Sequence, residues 1–154
     1  MRNEESLIQQ QCVAWFRIKY PAFATLLFHV PNEGSTSKKS IGSIRKAEGL
    51  MAGAPDLILG IMSYYKEGYT SLGIEMKTAK GRQSPSQKRF QSYFEAAGNY
   101  YCVVRSFDDF VKIVTKWMEE VPPVQWQKIQ DVYKKQQEDD LQLQRAKLQR
   151  LTRK

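Results

Sequence analysis

The chain has 154 residues, of which 42% are hydrophobic and 26% charged, a balance typical of a globular domain and unlike that of a disordered or fibrous protein. Lys and Arg number 24 against 16 Asp and Glu, and the net charge of +8 favours a polyanionic partner such as nucleic acid. No apolar run approaches the ~20 residues that cross a bilayer, and the acidic start at residues 4–5 is unlike a signal peptide, so we expect a soluble protein with no membrane partner.

The N-terminal third is predicted to form a helix, a strand and a basic loop. Apolar residues recur near helical spacing over residues 4–19, and Pro21 ends that pattern. The apolar run 25–30 indicates a strand that closes at the turn residues 31–34. Residues 35–53 are rich in Ser, Gly, Lys and Arg, which is typical of a loop.

The middle of the chain is predicted to form a hairpin followed by a capped helix. Two strand-like runs, 56–61 and 72–77, are joined by the polar stretch 63–71. Residues 84–87 then combine a Ser cap, a Pro at the first helical position and a Gln three residues after the cap. This pattern predicts a helix that begins there and stops at Gly98.

A further strand over 100–104 and a helix from Ser106 to Trp117 complete an αβββαβα order. The adjacent prolines 122 and 123 then mark a boundary, which predicts one domain over 1–120 and an extension over 121–154. The extension favours helix and is basic, but its apolar positions are too irregular for a sustained coiled coil. The sequence does not indicate what this extension binds.

Three polar side chains on the predicted hairpin carry the main functional hypothesis. In a strand, residues two apart face the same side, so Glu75 and Lys77 point together while Met76 faces the opposite side. If the two strands pair antiparallel, Asp56 at the base of the first lies beside Glu75 near the end of the second. Two carboxylates and one ammonium group then converge.

Such a cluster suits metal-assisted hydrolysis of a phosphodiester bond. Hard divalent cations such as Mg²⁺ bind one or two carboxylates together with water and phosphate oxygens, which makes Asp56 and Glu75 candidate ligands. Lys77 would orient the nucleophile or help to deprotonate it. The alternative is structural: Glu75 and Lys77 form a solvated pair on a half-exposed strand, and Asp56 is a turn residue after Pro55.

Basic residues flank this cluster in the sequence. No acidic residue occurs from position 77 to position 89, and an earlier basic loop spans 38–46. Contact with phosphates is one interpretation of these cations, and a solvated surface is the other. We predict that eight of them contact DNA, namely Lys38, Lys39, Arg45, Lys46, Lys80, Arg82, Lys88 and Arg89.

The cysteines and the single histidine do not enlarge the candidate site. Cys12 and Cys102 lie far apart in apolar surroundings, which predicts buried free thiols rather than a disulfide or a metal site. His29 lies in an apolar strand, where a packed or hydrogen-bonded role is favoured over general-base catalysis.

The motifs and their order resemble a known nuclease family. Residues 53–57 (GAPDL), 73–78 (GIEMKT) and 81–87 (GRQSPSQ) are similar to the motifs of the VRR-NUC family of the PD-(D/E)XK nuclease superfamily. Residues 30–33 and 5–9 are similar to the end of that family's first strand and to its first helix. The resemblance covers residues 4 to 118, and the C-terminal extension lies outside it.

The resemblance implies a restriction-endonuclease-like αβββαβ core, an α/β fold in which helices flank a central mixed sheet. It also implies a Mg²⁺- or Mn²⁺-dependent deoxyribonuclease. Asp56 and Glu75 would be its metal ligands together with the backbone carbonyl of Met76, and Lys77 would be the motif lysine.

The resemblance adds two residues to the predicted catalytic set. Glu5 matches a glutamate that the family carries on its first helix, although an exposed acid near a helix N-terminus is the commoner role of such a residue. Gln87 matches the family's helix glutamine, but a capping box would also place Gln there, closing back on Ser84. Both alternatives stay open.

Small stand-alone members of this family are associated with homodimers that act on branched DNA, including Holliday junctions, which a two-fold pair of sites would cut symmetrically. The resemblance therefore implies a homodimer that acts on branched DNA, located in the cytoplasm of a bacterium or of a phage-infected host cell. A nicking or end-processing nuclease would use the same site. From other classes, the alternatives are a noncatalytic DNA-binding module and an assembly protein whose C-terminal helix binds a partner.

Overall fold

The computed structural model describes residues 4–31 and 47–152. The chain divides into two compact units, Met1–Val121 and Pro122–Lys154. Within the described residues, the first unit contains a four-stranded mixed sheet with helices, and the second is one long helix. The predicted α/β class is therefore confirmed. That the first unit is a nuclease domain and the second its basic extension stays a prediction.

The elements follow the predicted order, with one addition near the start. They are α1 (Glu4–Lys19), a 3₁₀ helix (Pro21–Leu26), β1 (Leu27–His29), β2 (Leu57–Leu59), β3 (Leu72–Met76), α2 (Pro85–Ala96), β4 (Tyr100–Val104), α3 (Phe107–Glu119) and α4 (Pro123–Thr152).

The first strand is shorter than the sequence pattern predicts. Its apolar run begins at residue 25, but the residues before Leu27 belong to the 3₁₀ helix. Pro21 stands at the start of that helix, where its fixed φ favours a helical turn at once. A short apolar run has no periodicity that distinguishes such a turn from a strand, and this is why the pattern assigned it wrongly.

The sheet has the strand order β1-β2-β3-β4. The first three strands pair antiparallel, which confirms the predicted hairpin, and Leu57 lies opposite Ile74. Strands β3 and β4 pair in parallel, because α2 provides the crossover that a parallel connection requires. All five residues of β3 are buried, so this strand forms the centre of the core.

Different helices cover the two faces of the sheet. On β4, the Tyr100 ring stacks on Trp117 of α3 with ring centroids 6.3 Å apart, whereas the Tyr101 ring meets Phe94 of α2 edge to face at 6.4 Å. Successive strand residues point to opposite faces, so α2 lies on the Tyr101 face and α3 on the Tyr100 face. Trp117 also donates a hydrogen bond to the carbonyl of Ile61 at 3.1 Å, which ties α3 to the chain after β2.

Both cysteines are buried and free, as predicted. Burial raises the pKa of the Cys12 and Cys102 thiols to about 12, so both stay protonated near neutral pH. Among the residues that the structure describes, no helix combines the length and the apolar character needed to span a bilayer.

The second unit confirms that the C-terminal segment is helical. Helix α4 has 30 residues, which corresponds to a length of about 45 Å. Four of its leucines are exposed, namely Leu141, Leu143, Leu148 and Leu151.

Candidate active site

Asp56 immediately precedes β2 and is held by contacts from both sides. Its Oδ2 accepts a hydrogen bond from the backbone N–H of Met76 at 2.7 Å. Its backbone carbonyl accepts a hydrogen bond from the backbone N–H of Val30 at 3.0 Å and lies 2.9 Å from Nδ1 of His29. Strands β1 and β3 thus fix Asp56 at the end of β3. His29 is hydrogen-bonded as predicted, but it is exposed and not packed in the core.

Glu75 is the only charged side chain that is fully buried in the described part of the chain. Its Oε1 accepts hydrogen bonds from Lys77 Nζ at 2.5 Å and from the side-chain amide of Gln87, and its Oε2 accepts one from the Tyr101 hydroxyl at 3.1 Å. Burial raises the pKa of Glu75, and the negative charge of Asp56 raises it further. The hydrogen bonds from Lys77 and Tyr101 and the charge of Lys77 oppose this rise.

Lys77 lies where the strand pattern predicts it, on the same side as Glu75. Its side chain is 12% exposed, and its Nζ donates to the Met76 carbonyl at 3.2 Å as well as to Glu75. The Met76 side chain is buried. The structure therefore brings together the two carboxylates, the ammonium group and the Met76 carbonyl that the sequence singles out. Their catalytic and metal-binding roles stay predictions.

Gln87 forms the expected cap and also contacts the candidate site, while its catalytic role stays a prediction. Its backbone N–H donates to Ser84 Oγ at 3.2 Å, and its Oε1 accepts from the Ser84 backbone N–H at 2.8 Å, which completes a capping box at the start of α2. Its amide nitrogen is left to donate to Glu75. The cap thus orients the side chain that supports the buried carboxylate.

Gly53 lets the loop before Asp56 pack closely on the start of α2. Its φ is +88°, and a Cβ at this position would lie 2.3 Å from the carbonyl oxygen of Ser86. Any other residue would separate the loop from the helix. The loop that leads to Asp56 and the helix that carries Gln87 are therefore in direct backbone contact.

Glu5 lies in the first turn of α1 and contacts the loop that follows β3. Its Oε1 accepts a hydrogen bond from the backbone N–H of Thr78 at 2.9 Å. The structure therefore brings Glu5 to the residue after Lys77. This position is compatible with a role in the site and with a helix N-terminal acid, so its catalytic role stays a prediction.

The predicted DNA-contacting residues divide between described and undescribed parts of the chain. Lys80 and Arg82 lie in the loop after β3, Lys88 and Arg89 lie near the start of α2, and all four are exposed. The other four, Lys38, Lys39, Arg45 and Lys46, lie outside the described residues.

Sequence reasoning missed Tyr101, which holds the second oxygen of Glu75. In the parallel pairing of β3 and β4, Tyr101 lies opposite Gly73, and the missing side chain there leaves room for its ring. Burial is the main cause of a strongly raised pKa of the Tyr101 hydroxyl, which therefore stays protonated and able to donate. Strand alternation places Tyr101 and Val103 on one face, but only the register shows that this face contains Glu75.

Arg105 was also missed. Its Nη1 donates to the carbonyls of Thr78 at 2.6 Å and Gly81 at 2.8 Å. With Glu5 bound to the N–H of Thr78, the loop after Lys77 is held from two sides. The only sequence signal is an Arg directly after a strand, and this is too common to be informative.

The donor set of this site fits a hard divalent cation. Carboxylate oxygens of Asp56 and Glu75 and the carbonyl of Met76 are the ligand types that Mg²⁺ and Mn²⁺ bind. Within residues 4–31 and 47–152, no three His, Cys, Asp or Glu side chains are grouped to hold a metal, so water and phosphate would have to complete the coordination. Burial and, after it, the negative charge of Asp56 raise the pKa of Glu75, and a bound cation would stabilise the ionised carboxylate against both effects.

Comparison with solved structures shows the fold. A structure described as "VRR_NUC domain protein" aligns with a TM-score of 0.65 and 20% sequence identity, over 79% of this chain and 93% of that chain. The chain therefore has the fold of this VRR_NUC domain protein, and the resemblance inferred from the motifs is confirmed at the level of the fold. No protein-family model and no curated protein matches the sequence.

Proposed function

We propose that the chain is a divalent-metal-dependent deoxyribonuclease that hydrolyses phosphodiester bonds. The observation that carries this proposal is the convergence of Asp56, Glu75 and Lys77 at the end of β3, with Lys77 hydrogen-bonded to Glu75 and Asp56 hydrogen-bonded to the backbone of Met76. The fold and the net charge of +8 support it.

In this proposal, Asp56, Glu75 and the carbonyl of Met76 would hold Mg²⁺ or Mn²⁺. When bound, the metal supplies Lewis acidity that activates water and neutralises charge on the phosphate. Gln87 keeps Glu75 oriented through its amide. Lys77, placed between Glu75 and the Met76 carbonyl, holds a positive charge at the site, where it orients the attacking water or stabilises the developing negative charge.

The proposed substrate is DNA, preferably branched. Exposed cations follow the site directly in sequence, and contacts of this kind to phosphates position a duplex without reading its bases. We further propose a homodimer, because two symmetry-related sites suit the two-fold arrangement of a four-way junction. The cytoplasm is the proposed location.

A cleavage assay tests the activity. Labelled linear, nicked and four-way-junction DNA is incubated with the protein in Mg²⁺, Mn²⁺ or EDTA. We expect cleavage in either metal and none in EDTA. The variants Asp56→Asn, Glu75→Gln and Lys77→Met should each lower the rate by about 10²- to 10³-fold, as loss of a charge-stabilising group does in other enzymes. Salt-sensitive DNA binding should persist in all three.

The matched control is Glu119→Gln, because Glu119 is an exposed acid in a surface pair with Lys116. This variant should cleave at the wild-type rate. An unchanged rate in all three site variants would contradict the site assignment. DNA binding without cleavage of any substrate would instead support the noncatalytic binding module. A molar mass of one chain in solution, with and without DNA, would contradict the homodimer.

A further inference from the structure

A cavity of about 480 Å³ lies between the loop before β2 and one face of α2. The helix contributes residues at positions 86, 89, 90 and 93, a spacing that places them on one side of α2. The site described above does not use this cavity. Its lining residues are Met51, Ala52, Ser86, Arg89, Phe90 and Tyr93.

We propose that this cavity binds one unpaired nucleobase of the DNA. Met51 and Tyr93 are 59% and 75% exposed, so a flat apolar ligand can reach both side chains. Nucleobases stack on such aromatic side chains whatever their sequence. Arg89 lies in the same lining and supplies a cation for the phosphate of the bound nucleotide.

The cavity is preformed on its helical side. Phe90 stacks on Phe94, with ring centroids 5.5 Å apart and planes inclined by 29°. Phe94 in turn meets the ring of Tyr101, the residue that holds Glu75. Because these rings support one another, the Phe90 wall does not have to be ordered by the ligand, which lowers the entropic cost of binding.

Both walls of the cavity continue into the candidate active site. Ala52 is four residues before Asp56, so their Cα atoms are at most about 14 Å apart. On the other wall, Ser86 is adjacent to Gln87, which donates to Glu75. A span of about 14 Å corresponds to roughly four nucleotides along one strand of B-DNA, so we expect the bound base near the cleaved phosphate.

Charge favours a nucleotide over a second copy of the chain as the occupant. Among the residues that the structure describes, the cavity lining contains Arg89 and no acidic residue, and the sequence from 77 to 89 contains no acid either. The basic lining attracts a phosphate, whereas it offers no acidic partner to the basic side chains of a second copy. A base that stacks on Tyr93 in this cavity is unpaired, so the proposed site would select branched or frayed DNA. This inference rests on the proposed function and adds to it a binding site for one unpaired base.

An abasic scan tests the proposal without cleavage. The 154-residue chain is titrated in EDTA with a forked DNA that carries an abasic nucleotide at each of the first four unpaired positions in turn, and affinity is read by fluorescence anisotropy. For the wild type, we expect one abasic position to weaken binding by about 5- to 150-fold, the effect of losing one stacked base. We call this loss of affinity the abasic penalty. Fully paired DNA should bind no better than the abasic fork.

The variant Tyr93→Ala should bind the intact fork as weakly as the wild type binds the abasic one, and it should show no further abasic penalty. Tyr93→Phe keeps the ring and should retain the penalty. The matched control is Tyr64→Ala, since Tyr64 is 61% exposed and does not line the cavity. It should behave as the wild type. Thermal melting confirms that each variant is folded.

Three results would overturn the proposal: no abasic penalty in the wild type at any position, an undiminished penalty in Tyr93→Ala, or a Tyr93→Ala variant that loses self-association while keeping the penalty. The last result would assign the cavity to a second copy. Failure of the proposed function is a separate outcome. Absence of cleavage in Mg²⁺ together with a Tyr93-dependent abasic penalty would remove the nuclease activity and leave base binding standing.

Discussion

Replacing Gly73 by Ala tests whether close packing on the α2 face of the sheet keeps the site in order. A Cβ on Gly73 would lie 2.9 Å from Cε1 of Phe94, 3.2 Å from Cγ of Pro55 and 3.4 Å from Cδ2 of Tyr101. All three distances are at or below ordinary van der Waals contact. The neighbours must therefore shift, and they include the residue before Asp56 and the residue that holds Glu75.

The expected loss of stability follows from two opposing effects. Overpacking a core typically costs about 1–3 kcal/mol, whereas replacing Gly by Ala stabilises the fold by about 0.4–1 kcal/mol through the unfolded chain. The midpoints leave a net loss of about 1.3 kcal/mol for Gly73→Ala. At about 2–4 °C per kcal/mol for a chain of this size, the melting temperature should fall by about 3–5 °C.

Gly60→Ala is the matched control. Its added Cβ would lie 3.7 Å from Phe28 and no closer to any other atom, so only the entropic gain applies and its melting temperature should equal or exceed that of the wild type. We further expect Gly73→Ala, unlike Gly60→Ala, to lose about 10- to 100-fold in cleavage, as supporting residues of metal sites do. Equal melting temperatures and equal cleavage rates for the two variants would refute the packing argument.

Two further predictions concern the support of Glu75 and of the loop after Lys77. Burial raises the folded-state pKa of Glu75, so stability is lost as pH rises from the ordinary Glu pKa through the raised one, and metal-free Glu75→Gln should melt above the wild type at alkaline pH but not at acidic pH. Wild-type cleavage should fall at acidic pH, because protonation of Glu75 removes a proposed metal ligand. Tyr101→Phe removes a hydrogen bond that lowers the pKa of Glu75 and should move this acid limb to higher pH; an unmoved limb would contradict the role of Tyr101. Arg105→Lys cannot reproduce the paired hydrogen bonds to the carbonyls of Thr78 and Gly81, so steady-state kinetics should show about a 10-fold lower kcat, and wild-type kinetics would contradict this.

Local sequence signals predicted the parts of the site that depend on neighbouring residues. The start of α2 followed from the capping pattern of residues 84–87, because Ser84 and Gln87 satisfy each other's backbone N–H groups and Pro85 has no N–H to satisfy. The approach of Asp56 to Glu75 followed from antiparallel pairing of two adjacent strands, which leaves few possible registers. Both inferences required only short-range geometry.

The parts that depend on non-local pairing could not be predicted. Tyr101 reaches Glu75 only because β4 pairs in parallel with β3 in a register that aligns it with Gly73. That register depends on how α2 packs, and the alternation of β4 does not encode it. Arg105 reaches Thr78 across 27 residues for the same reason. The 3₁₀ helix before β1 escaped prediction because its apolar run lacks a diagnostic period.

Glu75 connects these observations. A buried carboxylate is unfavourable unless several donors satisfy it, and here the donors come from three places: Lys77 after β3, Gln87 in α2 and Tyr101 in β4. Each donor depends on a different structural feature, namely strand alternation, the helix cap and the parallel register. A shift of any of these elements would leave the carboxylate less well satisfied. The geometry of the candidate site is therefore set by the same contacts that fix the fold around β3.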